Sequence, residues 1–123
     1  MIAPLQNRET IFRSSFIVED MPFHPAWYGG VRGLHAEKLL RGKKPYSYLL
    51  RRGESNTENE VDYYVSFVLP DSSIKHQPFT ITVAHEGWYY ENGGGGGPLT
   101  HETIDDVLHL MMHCDRGVPV AVL

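Results

Sequence analysis

The chain has 123 residues, of which 41% are hydrophobic, a single cysteine and a formal net charge of −4. This length predicts one domain, and this hydrophobic fraction excludes a disordered chain. Cys114 alone excludes an internal disulfide, and no apolar run could cross a bilayer or form the core of a secretory signal, so we expect a cytoplasmic protein.

Positive charge is concentrated in one part of the chain. Residues 32–52 hold seven basic side chains and one acid, Glu37, whereas the rest holds four basic and fourteen acidic residues. The overall negative charge argues against general nucleic-acid binding. The basic segment indicates one discrete anion site; a solvated helix face followed by a lysine-rich turn is the alternative interpretation.

The first half of the chain predicts one helix and one strand. Residues 1–26 have no regular pattern and contain three prolines, so we expect an irregular N-terminal extension. In residues 31–42 the apolar residues recur at helical spacing, and Gly42 provides a C-terminal cap. Residues 46–51 then predict a strand that is apolar on both faces, as a central strand covered on both sides would be.

The second half predicts further strands and a second helix. The polar stretch 53–60 predicts a loop, and five consecutive glycines from residue 93 predict a mobile loop. Pro78 is awkward within a central strand and indicates an edge position or a bulge. The remaining predicted elements are strands at 61–70, 74–84 and 87–91, a helix from Thr100 or Thr103 to about Cys114, and a short terminal strand or tail at 117–123.

This order of elements predicts an α+β fold class. One helix is followed by three or four antiparallel strands and a second helix. We therefore expect a central antiparallel sheet flanked by two helices, one on each face.

Seven short motifs then indicate a family. In chain order they are WYGG, AEKLL, YLLR, VSFV, IKH, TIDDVLHLM and GVPVAV. They resemble the opening Trp-Tyr, first helix, Phe-Leu-Val-Arg strand, third strand, Lys-His strand, second helix and Gly-Leu-x-x-x-Leu ending of an SH2 domain. The resemblance covers about residues 27–123, which leaves 1–26 as an extension. It implies a phosphotyrosine-peptide binding module that acts as an adaptor in signal transduction.

The resemblance implies that Arg51 holds the phosphate. A phosphate ester carries roughly −1.5 to −2 charges, and a guanidinium offers a planar fork of donors that can engage two of its oxygens. At the end of a rigid central strand the fork is preorganised, so little side-chain entropy is lost on binding. The alternative is an arginine that ends a strand at the surface and pairs with Glu54.

Four further residues are candidate phosphate-binding residues by the same resemblance. His76 falls where the family places a pocket histidine, and Ser55 and Thr57 lie on the loop predicted after Arg51. The helix arginine that usually assists aligns with Gly33, so the neighbouring Arg32 is expected to serve instead. Arg52 should point away from Arg51 because side chains alternate along a strand.

Peptide specificity is expected to be broad. Gln77 takes the position where the family often has an aromatic residue, and Gly95 lies in the glycine run, which can hardly hold a fixed pocket. Affinity should therefore come mainly from the phosphate. The alternative is an SH2-like interaction domain that has lost phosphotyrosine dependence, because the helix arginine is missing and Pro78 replaces a frequent lysine.

The remaining expectations follow from the resemblance and from patterns that are incomplete. We expect tyrosine-phosphorylated proteins as partners, a monomer, no enzymatic activity, no cofactor, no nucleic acid and no membrane. The glycine run lacks the Gly-Lys-Ser/Thr ending of a nucleotide loop, and His109 and His113 have no third metal ligand at a fitting spacing. The departures indicate a divergent member, and an effector that an intracellular bacterium delivers into the host cytosol would fit.

Overall fold

The computed structural model describes residues 18, 20–57, 59–82, 87–90, 95–98, 104–114 and 116–121. The predictions for residues 1–17, Thr100 and Thr103 lie outside these residues. The fold is α+β. Its elements are a 3₁₀ turn at Met21–Phe23, helix α1 at Gly33–Leu40, strands β1 at Ser47–Asn56, β2 at Glu60–Val68, β3 at Ile74–Thr82, β4 at Gly87–Tyr90 and β5 at Gly95–Pro98, helix α2 at Ile104–Met112, and strand β6 at Val118–Pro119.

The strands form one sheet in the order β5-β4-β3-β2-β1-β6. Neighbouring strands are antiparallel except β6, which runs parallel to β1 through pairs at Ser47 and Tyr48. The sheet is therefore mixed rather than wholly antiparallel. The cause is the short terminal segment, which returns from α2 and lies beside the start of β1.

The two helices pack on opposite faces of this sheet. Leu50 points to the face that α2 covers, and it belongs to a cluster with Val107 and Leu108 of that helix. The preceding Leu49 points the other way and packs with Leu40 of α1. The alternation along β1 explains why this strand is apolar on both faces. It also means that Arg51, two residues after Leu49, lies on the α1 face.

The predicted loop at 53–60 is wrong, because β1 continues to Asn56 and forms a hairpin with β2. The hairpin closes where the backbone N–H of Thr57 donates to the carbonyl of Glu60, at 2.8 Å. The register shifts between Arg52 and Asn56, which marks a bulge. Polar composition concealed the strand, since a hairpin that projects beyond the core needs no apolar side chains.

The structure also tests the predictions for the glycine run and for Pro78. Part of the glycine run, Gly95–Pro98, forms strand β5 beside β4, so the predicted mobile loop is wrong for these residues. A Cβ atom at Gly97 would lie 3.4 Å from Nε1 of Trp88, at about van der Waals contact, so this strand packs beside the indole ring. The prediction for Pro78 is confirmed. It precedes Phe79, where pairing of β3 with β4 begins, so among the described residues Pro78 is paired on one side only, with Tyr64 of β2.

None of the helices in the described part of the chain is long and apolar enough to traverse a lipid bilayer.

The bulge contains a glycine that should not tolerate a side chain. A Cβ atom at Gly53 would lie 2.6 Å from the backbone carbonyl carbon of Asp62, whereas one at Gly30 would lie 3.3 Å from the tip of the flexible Arg52 side chain. We expect Gly53→Ala to lower the free energy of unfolding in urea by about 1–3 kcal/mol, because backbone must move. Gly30→Ala is the control and should change it by less than about 0.5 kcal/mol. Equal effects of the two substitutions would contradict this packing.

Candidate functional site

Arg51 is a buried cation on a central strand. It pairs in register with Tyr64 of β2, two pairs beyond Leu49–Ser66 and on the same face, which α1 covers. Only 8% of its surface is exposed. The strand register, rather than any flexible loop, therefore fixes where the guanidinium lies.

Two hydrogen bonds hold the guanidinium in one orientation. Its Nε–H donates to the Ser66 hydroxyl oxygen at 3.0 Å, and Nη2 donates to Nδ1 of His76 at 3.1 Å. Because arginine can only donate, Nδ1 of His76 must accept and carries no proton. The Ser66 hydroxyl then donates to the same Nδ1, at 2.8 Å.

His76 is in turn oriented by helix α1. Its Nε2 carries the remaining proton and donates to the Glu37 carboxylate at 2.9 Å. A chain of hydrogen bonds thus runs from Glu37 through His76 to Arg51 and Ser66. Ser66 is fully buried, so this network is rigid at its base and reaches the surface only near Glu37 and His76.

The guanidinium retains donors for a ligand. Its central carbon lies 4.3 Å from the centre of the Tyr64 ring, which covers one face of the guanidinium plane. Of its five N–H groups, one is used by Ser66 and one by His76. In the described part of the chain the other three have no hydrogen-bond partner. They belong to Nη1 and Nη2, the pair of atoms that can engage two oxygens of one anion.

The beginning of α1 adds a second positive feature beside Arg51. A Cβ atom at Gly33 would lie 3.6 Å from Nη2 of Arg51 and 3.9 Å from Cε1 of His76, so the missing side chain leaves room there. Arg32 is the N-cap residue, and its side chain makes no capping hydrogen bond. The first N–H groups of the helix and its positive dipole end thus lie close to the guanidinium. We call Arg51, Ser66, His76, Glu37, Tyr64 and Gly33 the Arg51 site.

The charge of Arg51 is not balanced by a neighbouring carboxylate. No Asp or Glu oxygen of the described residues lies within 4.0 Å of its nitrogens. Burial lowers the pKa of Arg51, while Tyr64, Glu54 and Glu37 act from a greater distance to raise it. A buried cation without a partner is costly, and an anionic ligand would offset that cost.

The predicted phosphate-binding residues do not all converge on this site. His76 contacts Arg51 directly, whereas Arg32, the residue before Gly33, is exposed. Thr57 lies at the hairpin tip, with its hydroxyl bonded to the backbone of Glu60. Five residues of strand, 52–56, separate Thr57 from Arg51. The backbone of Ser55 is part of β1, and its side chain lies outside the described residues.

The residues expected to contact a peptide are not part of the Arg51 site. Gln77 is buried, and its side-chain amide donates to the carbonyl of Pro78 at 3.0 Å. Gly95 lies in β5, opposite Tyr90. Arg52 is exposed above the Trp27 ring, on the other face from Arg51, as the strand alternation predicted.

Sequence reasoning missed three members of the Arg51 site: Ser66, Glu37 and Tyr64. Ser66 gave a usable signal, because it is the one polar residue within the apolar run 63–69. A buried hydroxyl needs a partner, and the strand register supplies Arg51 and His76. Glu37 gave no such signal, since an acid on a helix is ordinarily exposed.

Ser66, His76 and Glu37 form a hydrogen-bonded row like that of a hydrolase, but the geometry does not fit nucleophilic attack. Ser66 has no exposed surface, and its oxygen already accepts the Arg51 Nε–H. A substrate carbonyl could not approach within bonding distance of it. The row serves to orient Arg51. Among the described residues, no group of three or more His, Cys, Asp or Glu side chains could hold a metal ion.

No protein-family model matches the chain, and no curated protein matches it. The resemblance to SH2 domains therefore stays a prediction from sequence motifs. The chemistry of Arg51 and its contacts is what supports a function.

If Arg51 serves the fold, its removal should lower the free energy of unfolding, whereas removal of a cation that serves binding should not. Arg51→Met removes the buried charge and leaves Ser66 bonded to His76, so we expect the free energy of unfolding to stay constant or to rise by about 1 kcal/mol. Urea unfolding measures this, with the exposed Arg52→Met as the control at about ±0.5 kcal/mol. A loss above about 2 kcal/mol in Arg51→Met would mean that the arginine stabilises the fold.

Proposed function

We propose that the chain is a phosphotyrosine-peptide binding module of the SH2 type, with Arg51 as its phosphate ligand. One observation carries the proposal: Arg51 is 8% exposed, is held by Ser66 and His76, and has no carboxylate partner among the described residues. A cation kept in this way is unfavourable for the free protein. It becomes favourable when an anion binds.

The available donors suit a phosphate. Nη1 and Nη2 can each donate to one phosphate oxygen, and the third oxygen would face the beginning of α1, near Gly33. Nε cannot take part because Ser66 occupies it. The phosphate therefore approaches the guanidinium end-on, in its plane, while the Tyr64 ring covers one face.

The depth of Arg51 favours an aryl phosphate. A phosphoserine carries its phosphate close to the peptide backbone, whereas the ring of phosphotyrosine extends the reach. Tyr64 and Pro78 lie in register beside Arg51 and offer apolar surface along which such a ring could pack. Tyrosine-phosphorylated proteins are accordingly the proposed partners of a non-enzymatic adaptor.

The site supports recognition that depends mainly on the phosphate. Gln77, the residue expected to read the peptide, is buried and bonded to Pro78, so it presents little surface for selection. We propose broad tolerance for the residues around the phosphotyrosine. We also propose that residues 27–123 form the binding domain, that it acts as a cytoplasmic monomer, and that the host cytosol is its compartment if the chain is a bacterial effector.

Three observations favour a second candidate, an SH2-like interaction domain without phosphotyrosine dependence. Arg51 is the only arginine in the network, because Arg32 is exposed and Gly33 has no side chain. Thr57 lies at the hairpin tip, bonded to Glu60, and the acidic Glu54 acts electrostatically on Arg51. The buried, unbalanced charge of Arg51 is the reason for preferring the first candidate.

Calorimetric titration with a phosphotyrosine peptide and its unphosphorylated twin separates the two candidates. We expect binding of the phosphopeptide alone. Arg51→Ala should weaken it about a hundredfold or more, because two charge-assisted hydrogen bonds are lost at once. Arg52→Ala is the control, since this neighbouring guanidinium lies over Trp27 on the other face, and it should leave the affinity unchanged. Equal binding of both peptides would establish the second candidate.

Glu54 should limit the affinity for the phosphate. Its carboxylate acts on Arg51 and would repel an anion bound there. We expect Glu54→Gln to tighten phosphopeptide binding by about two- to fivefold, the size of an exposed charge interaction. Glu60→Gln makes the same change in net charge at the hairpin tip, so it is the control and should have no effect. Identical gains from both variants would assign the effect to net charge rather than to the position of Glu54.

A further inference from the structure

A second concave surface lies at the other end of α1. It is a groove of about 820 Å³ between the end of that helix and β6. Its floor is apolar, with Tyr28, Leu39, Val118 and Val120, which are all partly exposed. A groove of this volume falls within the range of ligand sites. Nothing in the proposed phosphate chemistry uses it.

Charge at the groove has one sign. Lys43 and Lys44, in the turn between α1 and β1, line it and are exposed, and none of the described residues that line it is acidic. Lys43 and Lys44 form no ion pair with the described residues. The rest of the chain is predominantly acidic. The groove therefore complements a ligand that combines apolar groups with negative charge.

From these observations we propose that the groove binds an acidic, apolar peptide segment of a partner protein that carries no phosphate. The proposed occupant is a peptide rather than a bilayer. A bilayer takes up apolar side chains that protrude from a protein, whereas the apolar side chains of this groove form its floor. We call this surface the lysine groove.

Two other occupants fit the observations less well. Residues 1–17 of the chain contain Arg8, Arg13 and a single acid, Glu9, so their charge does not complement the lysines. A partner strand cannot extend the sheet fully at β6, since Val118 and Val120 donate to β1 and Pro119, between them, has no N–H. Recognition at the groove therefore depends on side chains rather than on added β-pairing.

The lysine groove is separate from the Arg51 site. Helix α1 has eight residues, with Gly33 beside Arg51 at its beginning and Leu39 in the groove near its end. About 1.5 Å of rise per residue puts roughly 9 Å of helix between these two positions. An occupant of the groove could thus bind while a phosphopeptide is bound. The inference does not depend on the proposed phosphotyrosine binding.

A display library of random, unphosphorylated dodecapeptides tests the proposal on the full chain. We expect the selected peptides to be enriched in Asp and Glu interspersed with Leu, Ile or Phe. One such peptide, made synthetically, should bind Lys43→Gln/Lys44→Gln about tenfold more weakly than the unaltered protein. Lys75→Glu changes the net charge by the same amount on an exposed part of β3 and should bind as the unaltered protein does. Arg51→Met should also bind normally.

Three results would overturn the proposal. In the first, the selected peptides show no excess of acidic residues; in the second, the two-glutamine variant and Lys75→Glu bind them equally well. Alternatively, no peptide binds, and vesicles containing phosphatidylserine bind the protein through Lys43 and Lys44, which would make the groove a lipid site. Circular dichroism of each variant confirms that it is folded, so a loss of binding reports on the surface alone.

Discussion

The buried guanidinium of Arg51, which no carboxylate of the described residues balances, is the constraint on which the Arg51 site depends. A cation in this position is stable only where the protein supplies hydrogen bonds to it, and Ser66 and His76 supply two. Glu37 contributes through His76 rather than by direct contact, so it orients the network without neutralising the guanidinium. The arrangement keeps the charge available and holds it rigidly, as an anion-binding site requires.

The sheet explains how a small domain holds the Arg51 guanidinium in one position. β1 is covered on both faces, so its register with β2 is fixed by side chains that cannot exchange faces. Arg51 is at the point where the apolar rows end and the hairpin begins. The hairpin extends β1 to Asn56, and the loop that would otherwise surround an anion is replaced by paired strand. Any ligand at Arg51 must therefore be held by the guanidinium and by α1.

Helix α1 connects the two candidate surfaces. Its beginning has no side-chain cap and faces Arg51, and its end leads into the lysine-bearing turn. The local excess of positive charge in residues 32–52 is thus divided between two places rather than gathered in one. A basic segment of sequence does not by itself say how many sites it serves, because a helix separates its ends in space.

The sequence by itself determined the α+β class, a helix within residues 31–42, the central strand, and Arg51 and His76 as candidate ligands. These depend on short-range periodicity and on residue chemistry, which are local properties. Only the tertiary structure decided that the polar stretch after Arg51 is a hairpin, that Thr57 is remote, and that Ser66 and Glu37 complete the network. The physical reason is that strand register and helix placement bring together residues far apart in sequence, and local patterns carry no information about such contacts.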